Sequence, residues 1–265
     1  MAATDQVYET LLVEMEGSVA VVSINNPPMN VINLTMGRDL LAFSAAVARD
    51  ENVRAVLFRS ASEGVFIAGA DISMLAELSG DEADKVFAEV ASLMDAVAAI
   101  PQPTVAALAG TTLGGGFEFA LACDFRLMAD GFGEIGLPEV RLGLLPGGGG
   151  TQRLPRLVGA GLATEMLMKG MRYDAKTALS LGIVHKIYAP DALDAEARKY
   201  ASSLAAQAPL ALRHIKRLIT AAFETPGQAG LELERELFLD LARSSDAQEG
   251  ISAFFEGRKP AFTGK

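Results

Sequence analysis

Two hydrophobic spacings alternate along the first part of the chain. Short runs rich in β-branched residues predict strands at residues 19–24, 53–58, 104–109 and 125–128. Apolar residues that recur three and four positions apart predict helices at residues 34–49 and 82–100, and another helix is expected to start near Gly115. Because strands that alternate with helices are typical of α/β proteins, we expect an α/β fold.

The pattern changes after about Asp191, where only helical spacing follows. Helices are predicted at residues 191–207, 209–223 and 231–241, and a shorter helix is expected to be N-capped by Asp246, with Glu249 three positions on. We therefore expect a core of residues 1–190, which carries the functional site, and a helical C-terminal region of residues 191–265.

The charge balance narrows the possible partners. The 265 residues carry 23 Lys and Arg against 33 Asp and Glu, a formal net charge of -10, so binding of nucleic acid or an anionic membrane through a basic face is not expected. Cys123 is the one cysteine, which suits a reducing compartment, and we expect it to be buried. His185 and His214 are the two histidines and do not form a close pair, so a histidine-ligated metal is not expected.

The N-terminal residues lack the basic and apolar regions of a signal peptide, so a cytoplasmic location is expected. Residues 96–117 form a charge-free run that is long enough to cross a bilayer. Pro101, Pro103 and the glycines that follow divide this run into a helix end, a short strand and a turn. We therefore interpret it as part of the buried core.

A glycine-rich segment carries the first candidate chemistry. Gly114, Gly115 and Gly116 follow a predicted strand and open a helix, and Glu118 lies in its first turn. Amides in the first turn of a helix have no intrahelical acceptor and can bind a developing oxyanion. The alternative is that Glu118 merely stabilises the helix N-terminus.

Two further segments offer groups that could complete such a site. Glu139 follows Pro138, and a turn could bring it opposite Glu118, although it could also be an exposed loop acid. Residues 66–72 run from a strand end into a helix start, so they could supply a second free amide at Ala70 or an N-cap at Asp71.

Residues 131–136 match the G-x-G-x-x-G pattern of dinucleotide-binding proteins, but their surroundings do not. Leu137 and Pro138 follow where an amphipathic helix is required, and Arg153 and Arg156 stand where a ribose-binding acid is needed. We interpret this segment as an ordinary turn.

Four segments together resemble the crotonase (enoyl-CoA hydratase/isomerase) superfamily. They are residues 66–72, residues 114–118, Pro138 with Glu139, and residues 146–154, and the resemblance extends from the strand at Val19 to residues 254–260. It implies a crotonase-like spiral of β-β-α units with a helical C-terminal oligomerisation region. It also implies that the protein assembles as a homotrimer or as a dimer of trimers.

The resemblance implies a role for each matching residue. Ala70 and Gly115 match the oxyanion-hole residues for a thioester carbonyl, while Glu118 and Glu139 match the two catalytic glutamates of the hydratases. The resemblance also implies that four further residues contact the substrate: Ala68, Asp71, Ile72 and Gly147. The implied function is hydration of 2-enoyl-CoA to 3-hydroxyacyl-CoA, with no cofactor beyond the coenzyme A of the substrate.

The sequence departs from the family pattern where coenzyme A phosphates are usually held. Ser73 stands where many hydratases carry a lysine, and Asn26-Pro27-Pro28-Met29 lacks a basic residue. Lys259 or Arg258, of the same or of a neighbouring subunit, could compensate. Two other functions stay open, a Δ3,Δ2-enoyl-CoA isomerase and a non-catalytic acyl-CoA-binding homologue.

Overall fold

The structure, a computed structural model, describes residues 6–71, 81–131 and 133–265. Its strands are β1 (Leu11–Glu16), β2 (Val19–Ile24), β3 (Ala55–Ser60), β4 (Val65–Ile67), β5 (Thr104–Leu108), β6 (Thr111–Leu113), β7 (Phe125–Ala129), β8 (Ile135–Gly136), β9 (Arg172–Tyr173) and β10 (Lys186–Tyr188). Its helices are α1 (Leu34–Val47), α2 (Asp81–Ala98), α3 (Gly115–Ala122), α4 (Gly150–Val158), α5 (Ala160–Lys169), α6 (Ala175–Ser180), α7 (Leu193–Ala205), α8 (Pro209–Glu224), α9 (Gly227–Ala242) and α10 (Ser245–Glu256), with a 3₁₀ helix at Glu139–Leu142.

In this part of the chain, the strands form two sheets. The larger sheet has the order β1-β2-β3-β5-β7-β10, and the smaller has the order β4-β6-β8-β9. From β3 to β8 the chain visits the two sheets in turn, and helices α2 and α3 follow the first two pairs of strands. This repeated path is a spiral of β-β-α units, so the expected α/β fold is confirmed.

The larger sheet is apolar on both faces. Successive residues of β2 point to opposite sides of the sheet, and apolar residues occupy both sets of positions. Ala20, Val22 and Ile24 pack into the main core together with α1 and α3. Val19 and Val21 face the other way, in a second core that α7 covers. The first helix after residue 190 therefore packs on the sheet, while the division at that residue stays a prediction.

The long predicted elements agree with the structure to within a few residues. Strand β2 has the predicted bounds, and α1, α2 and α8 differ from theirs by one or two residues. The sequence pattern missed β1, and of the smaller sheet it predicted only the end of β4. The strands of that sheet, β4, β6, β8 and β9, have three residues or fewer.

The predicted N-cap of the last helix is wrong. Ser244 caps α10, and its side chain accepts a hydrogen bond from the Ala247 amide. The Asp246 carboxylate is buried and instead accepts hydrogen bonds from the amides of Thr263 and Gly264, at 2.6 and 2.8 Å. Asp246 thus ties the C-terminal residues to α10.

Residues 96–117 are divided, as expected, by their prolines and glycines, but they form two strands where one was expected: the end of α2, strands β5 and β6, and the start of α3. Of the helices in the described ranges, none combines the length and hydropathy that a bilayer crossing requires. Cys123 is buried at the C-terminal end of α3, and burial raises the pKa of its thiol to about 12. The thiol is therefore protonated at neutral pH.

Candidate active site

The backbone of residues 69–71 pairs with Ile32 and leaves the Ala70 amide directed away from it. Ile32 donates to the Gly69 carbonyl and accepts from the Asp71 amide, at 2.8 and 3.0 Å. Because alternate amides of an extended segment point to opposite sides, the Ala70 amide faces the other way, towards α3.

The second amide is placed by an unusually close approach of backbone to backbone. A methyl group on Gly116 would lie 2.0 Å from the Ile67 carbonyl oxygen, so only glycine lets α3 start against β4. A methyl group on Gly115 would lie 3.6 Å from the Ala70 nitrogen. Within the described residues, neither the Ala70 nor the Gly115 amide has a hydrogen-bond acceptor. Two free N–H groups therefore lie side by side.

Glu118 lies one turn further along α3 and is almost fully buried, with 4% of its surface exposed. Its Oε1 accepts hydrogen bonds from the amides of Gly148 and Gly150, at 2.7 and 2.8 Å. Gly150 is the first residue of α4, so Glu118, which lies in the first turn of α3, also accepts hydrogen bonds at the N-terminus of that later helix. A carboxylate is well placed there, because a helix N-terminus carries partial positive charge.

Glu139 begins the 3₁₀ helix and is half-buried. A methyl group on Gly114 would lie 3.2 Å from its Oε1, which places the carboxyl beside the start of α3. Its Oε2 is buried and has no hydrogen-bond partner in this part of the chain. The structure therefore brings Glu139 to the glycine-rich turn, and it is not a solvated loop acid.

The pKa values of the two carboxyl groups are affected differently by their surroundings. Burial raises the pKa of Glu139, one backbone hydrogen bond opposes this shift, and the nearby charge of Glu118 adds to it, so that the pKa is about 7. Burial also raises the pKa of Glu118, but the amides of Gly150 and Gly148 and the charge of Arg153 oppose that shift. We conclude that a proton shared by the pair resides mainly on Glu139.

Packing on both sides fixes the helix that carries Glu118. The Phe119 ring lies edge-on to Phe58 at 5.1 Å and tilted against Phe66 at 6.0 Å, and each such pair contributes about 1 kcal/mol. At the other end, the buried guanidinium of Arg126 donates to the carbonyls of Ala120 and Cys123, at 3.0 and 2.8 Å. These contacts hold α3 rigidly between the two sheets.

The remaining predicted site residues lie at different distances from this centre. Ala68 and Asp71 flank the free Ala70 amide, and Gly147 is exposed beside the Gly148 turn. Ile72 and Ser73 lie outside the described residues. The described ranges contain no group of three or more His, Cys, Asp or Glu side chains that could hold a metal ion.

The sequence pattern did not single out the contacts of Glu118. Gly148 and Gly150 are 30 and 32 positions away along the chain, and the only signal was the glycine run at residues 147–150. The sequence places Arg153 in the segment 146–154 and gives no sign that it contacts this turn. In the structure its guanidinium contacts the Gly148 carbonyl.

Comparison with known proteins shows the family to which the chain is related. The model of the family described as enoyl-CoA hydratase/isomerase matches residues 14–265. A crotonyl-CoA hydratase of Syntrophomonas wolfei is 36% identical over 259 residues, which cover 97% of this chain and 99% of the relative. An enoyl-CoA isomerase/hydratase of Mycosarcoma maydis is 38% identical over 217 residues, which cover 82% and 79%.

The chain belongs to the enoyl-CoA hydratase/isomerase family.

The likeness extends to the three-dimensional structure. The crystal structure of an enoyl-CoA hydratase from Bacillus anthracis superimposes with a TM-score of 0.93 at 32% identity, covering 97% of this chain and 100% of that one. The crotonase resemblance and the spiral fold are thus confirmed over nearly the whole length. Membership of the enoyl-CoA hydratase/isomerase family makes an acyl-CoA thioester the expected ligand.

Proposed function

We propose that this protein is an enoyl-CoA hydratase, which adds water in syn fashion to a 2-enoyl-CoA thioester and yields a 3-hydroxyacyl-CoA. The observation that carries the proposal is the convergence of two unlike carboxyl groups beside two free amides. One carboxyl is anchored by hydrogen bonds, and the other retains a proton near neutral pH. Addition of water needs both a base and an acid.

The thioester carbonyl is placed between the amides of Ala70 and Gly115. Attack at C3 moves electron density through C2 to the carbonyl oxygen, and the two N–H groups stabilise the resulting oxyanion. One such donor contributes about 10²–10³ in rate in acyl-transfer enzymes.

The protons balance between the two glutamates. Glu118 removes a proton from water as the oxygen bonds to C3, and Glu139 donates a proton to C2. The proton gained by Glu118 then returns to Glu139 through solvent, which restores both groups. The assignment follows from the hydrogen bonds, since Glu118 accepts two of them as a carboxylate and Glu139 Oε2 accepts none.

Isomerisation of 3-enoyl-CoA to 2-enoyl-CoA is the second candidate. It needs one carboxyl group that takes a proton from one carbon and returns it to another, in the same oxyanion hole. Glu139 could do this alone, because its pKa of about 7 allows both transfers at neutral pH. The printed name of the Mycosarcoma maydis relative joins both activities.

We expect the wild-type protein to hydrate 2-enoyl-CoA, with kcat falling as the pH rises through about 7, because Glu139 must be protonated to act as the acid. Loss of the enoyl-thioester absorbance measures hydration, and a coupled assay measures isomerisation of 3-enoyl-CoA in the same samples. Isomerisation without hydration would make the second candidate correct. Binding of acyl-CoA without turnover of either substrate would indicate the non-catalytic homologue.

The two carboxyl groups and two amides supply every proton and charge that the addition requires, so we propose that no cofactor takes part beyond the coenzyme A of the substrate. The single cysteine, which is free and buried, is compatible with a reducing compartment. We therefore assign the enzyme to the cytoplasm.

We expect a homotrimer or a dimer of trimers in solution. Helices α9 and α10 leave Phe238, Phe254 and Phe255 exposed by 66%, 81% and 82%, and exposed apolar patches mark sites of protein association. Light scattering at micromolar concentration measures the mass, and replacing Phe254 and Phe255 together by Ser should lower it. A stable wild-type monomer contradicts this expectation.

A further inference from the structure

Arg153, on helix α4, joins the turn that holds Glu118 to helix α2. Its Nη1 donates to the Gly148 carbonyl at 2.8 Å, and its Nη2 forms an ion pair with Asp95 Oδ1 at 2.7 Å. Gly149 has a φ of +95°, and a methyl group on it would lie 2.2 Å from Arg153 Nη1. The guanidinium is therefore packed directly against the backbone of this turn.

The same turn determines where the Glu118 carboxylate points. The Gly148 and Gly150 amides both bind Glu118 Oε1, while the Gly148 carbonyl binds Arg153. A methyl group on Gly148 would lie 2.9 Å from Glu118 Oε2, so the second oxygen also lies beside the turn. Movement of the turn would displace both oxygens of the carboxylate.

We propose that Arg153 is a positioning residue for hydration: its guanidinium holds the Gly148–Gly150 turn in place and thereby orients Glu118 towards the water that it activates. This rests on the proposed function. A displacement of about 1 Å at a reacting group can cost about 10²-fold in rate. Arginine suits the task because its planar group can bind the carbonyl and the Asp95 carboxylate at once.

The positive charge of Arg153 has a second effect on the same carboxylate. Glu118 faces Arg153 from α4 and Glu139 from the 3₁₀ helix, and the cation stabilises the ionised form of Glu118. The other side of Arg153 borders a cavity of about 1080 Å³, whose charged and titratable lining residues are Asp95, Arg156, Arg213, His214, Lys216, Arg217 and Glu224. Arg153 lines the same cavity and donates to the Gly148 carbonyl.

Kinetics over a range of pH test the proposal with a matched control. We expect Arg153→Gln to lower kcat by about 10²-fold with KM within about twofold, and to move the acidic limb of the kcat/KM profile up by about one pH unit. Arg153→Lys keeps the charge but not the two-sided contact, so kcat should fall by about 10-fold with little movement of the limb. The control is Arg156→Gln, one turn along α4 in the same cavity, which should retain the wild-type profile.

A measurement without substrate separates this proposal from the proposed function. Infrared difference spectra between each protein and its Glu118→Gln counterpart follow the carboxyl band of Glu118 as the pH changes. The midpoint should be higher in Arg153→Gln than in the wild type. A higher midpoint together with a wild-type protein that hydrates nothing would refute the proposed function and leave the link between Arg153 and Glu118 standing.

The proposal is overturned if Arg153→Gln keeps the wild-type midpoint and kcat, or if Arg156→Gln changes them as much. Should Arg153→Gln not fold, Arg153→Lys decides, because a wild-type kcat in that variant excludes a positioning role. Asp95→Asn tests the direction of the shift in the Glu118 midpoint. Asp95 is the exposed partner of the Arg153–Asp95 ion pair, with 79% of its side chain accessible. The substitution removes a negative charge, so an upward shift of the Glu118 midpoint would contradict the electrostatic part.

Discussion

Replacing either Glu118 or Glu139 by Gln is expected to lower kcat for hydration of 2-enoyl-CoA by at least about 10²-fold, the usual effect of losing a general base or acid. Glutamine keeps the size and one hydrogen-bonding oxygen, so the Gly148 and Gly150 amides can still be bound in Glu118→Gln. The loss should therefore appear in kcat, with KM changed little. Stopped-flow loss of the enoyl-thioester absorbance measures it.

The double variant carries the sharper expectation. Because both groups act in one step, Glu118→Gln combined with Glu139→Gln should cost little more than either change alone. Glu134→Gln is the matched control, since Glu134 lies five positions before Glu139 on an exposed stretch, and it should keep the wild-type rate. Effects that multiply in the double variant would mean that the two glutamates act in separate steps. A wild-type rate in Glu139→Gln would remove it from the mechanism.

The sequence predicted the larger sheet far better than the smaller one. Strand β2 is buried on both faces, so it reads as a nearly continuous apolar run whose bounds are clear in the sequence. Strands β4 and β8 have three and two residues, which is too short for any period to emerge. What fixes them is the pairing with β6, a contact between segments that are distant in the chain.

The same holds for the site: features formed by residues adjacent in sequence could be predicted, and contacts between residues far apart in sequence could not. The glycines at positions 114–116 and the acid at 118 are neighbours in sequence, so the free amide at Gly115 and the carboxyl could be predicted together. The partners of Glu118 could not, because they come from a turn some 30 residues later. The prediction that Asp246 caps α10 failed for a different reason. Ser244 is an equally good N-cap residue, and only the position of the C-terminal residues decides between the two.

Gly115→Val tests the oxyanion hole where the geometry is most restrictive. A Cβ at this position would lie 3.3 Å from Ile32 Cδ1 and 3.6 Å from the Ala70 nitrogen, so it enters the space between the two amides without meeting backbone at clashing distance. The two γ-methyl groups of valine would extend from that point into the position that we propose for the thioester oxygen. The variant should therefore fold and yet be unable to seat its substrate.

We expect Gly115→Val to lower kcat/KM for 2-enoyl-CoA by about 10³-fold or more, because the carbonyl loses its contact with at least one donor, and such a donor contributes about 10²–10³. Calorimetric titration with a non-reactive acyl-CoA should show weaker binding, and circular dichroism should show native structure.

Gly161→Val is the control on α5, where an added Cβ has no neighbour within 4 Å, and it should keep the wild-type rate. Gly116→Ala gives the contrast, since its Cβ would lie 2.0 Å from the Ile67 carbonyl oxygen and should disrupt folding itself. Near-normal turnover in a folded Gly115→Val protein would show that the thioester oxygen binds elsewhere, and the roles of Ala70 and Glu139 would then have to be reassigned with it.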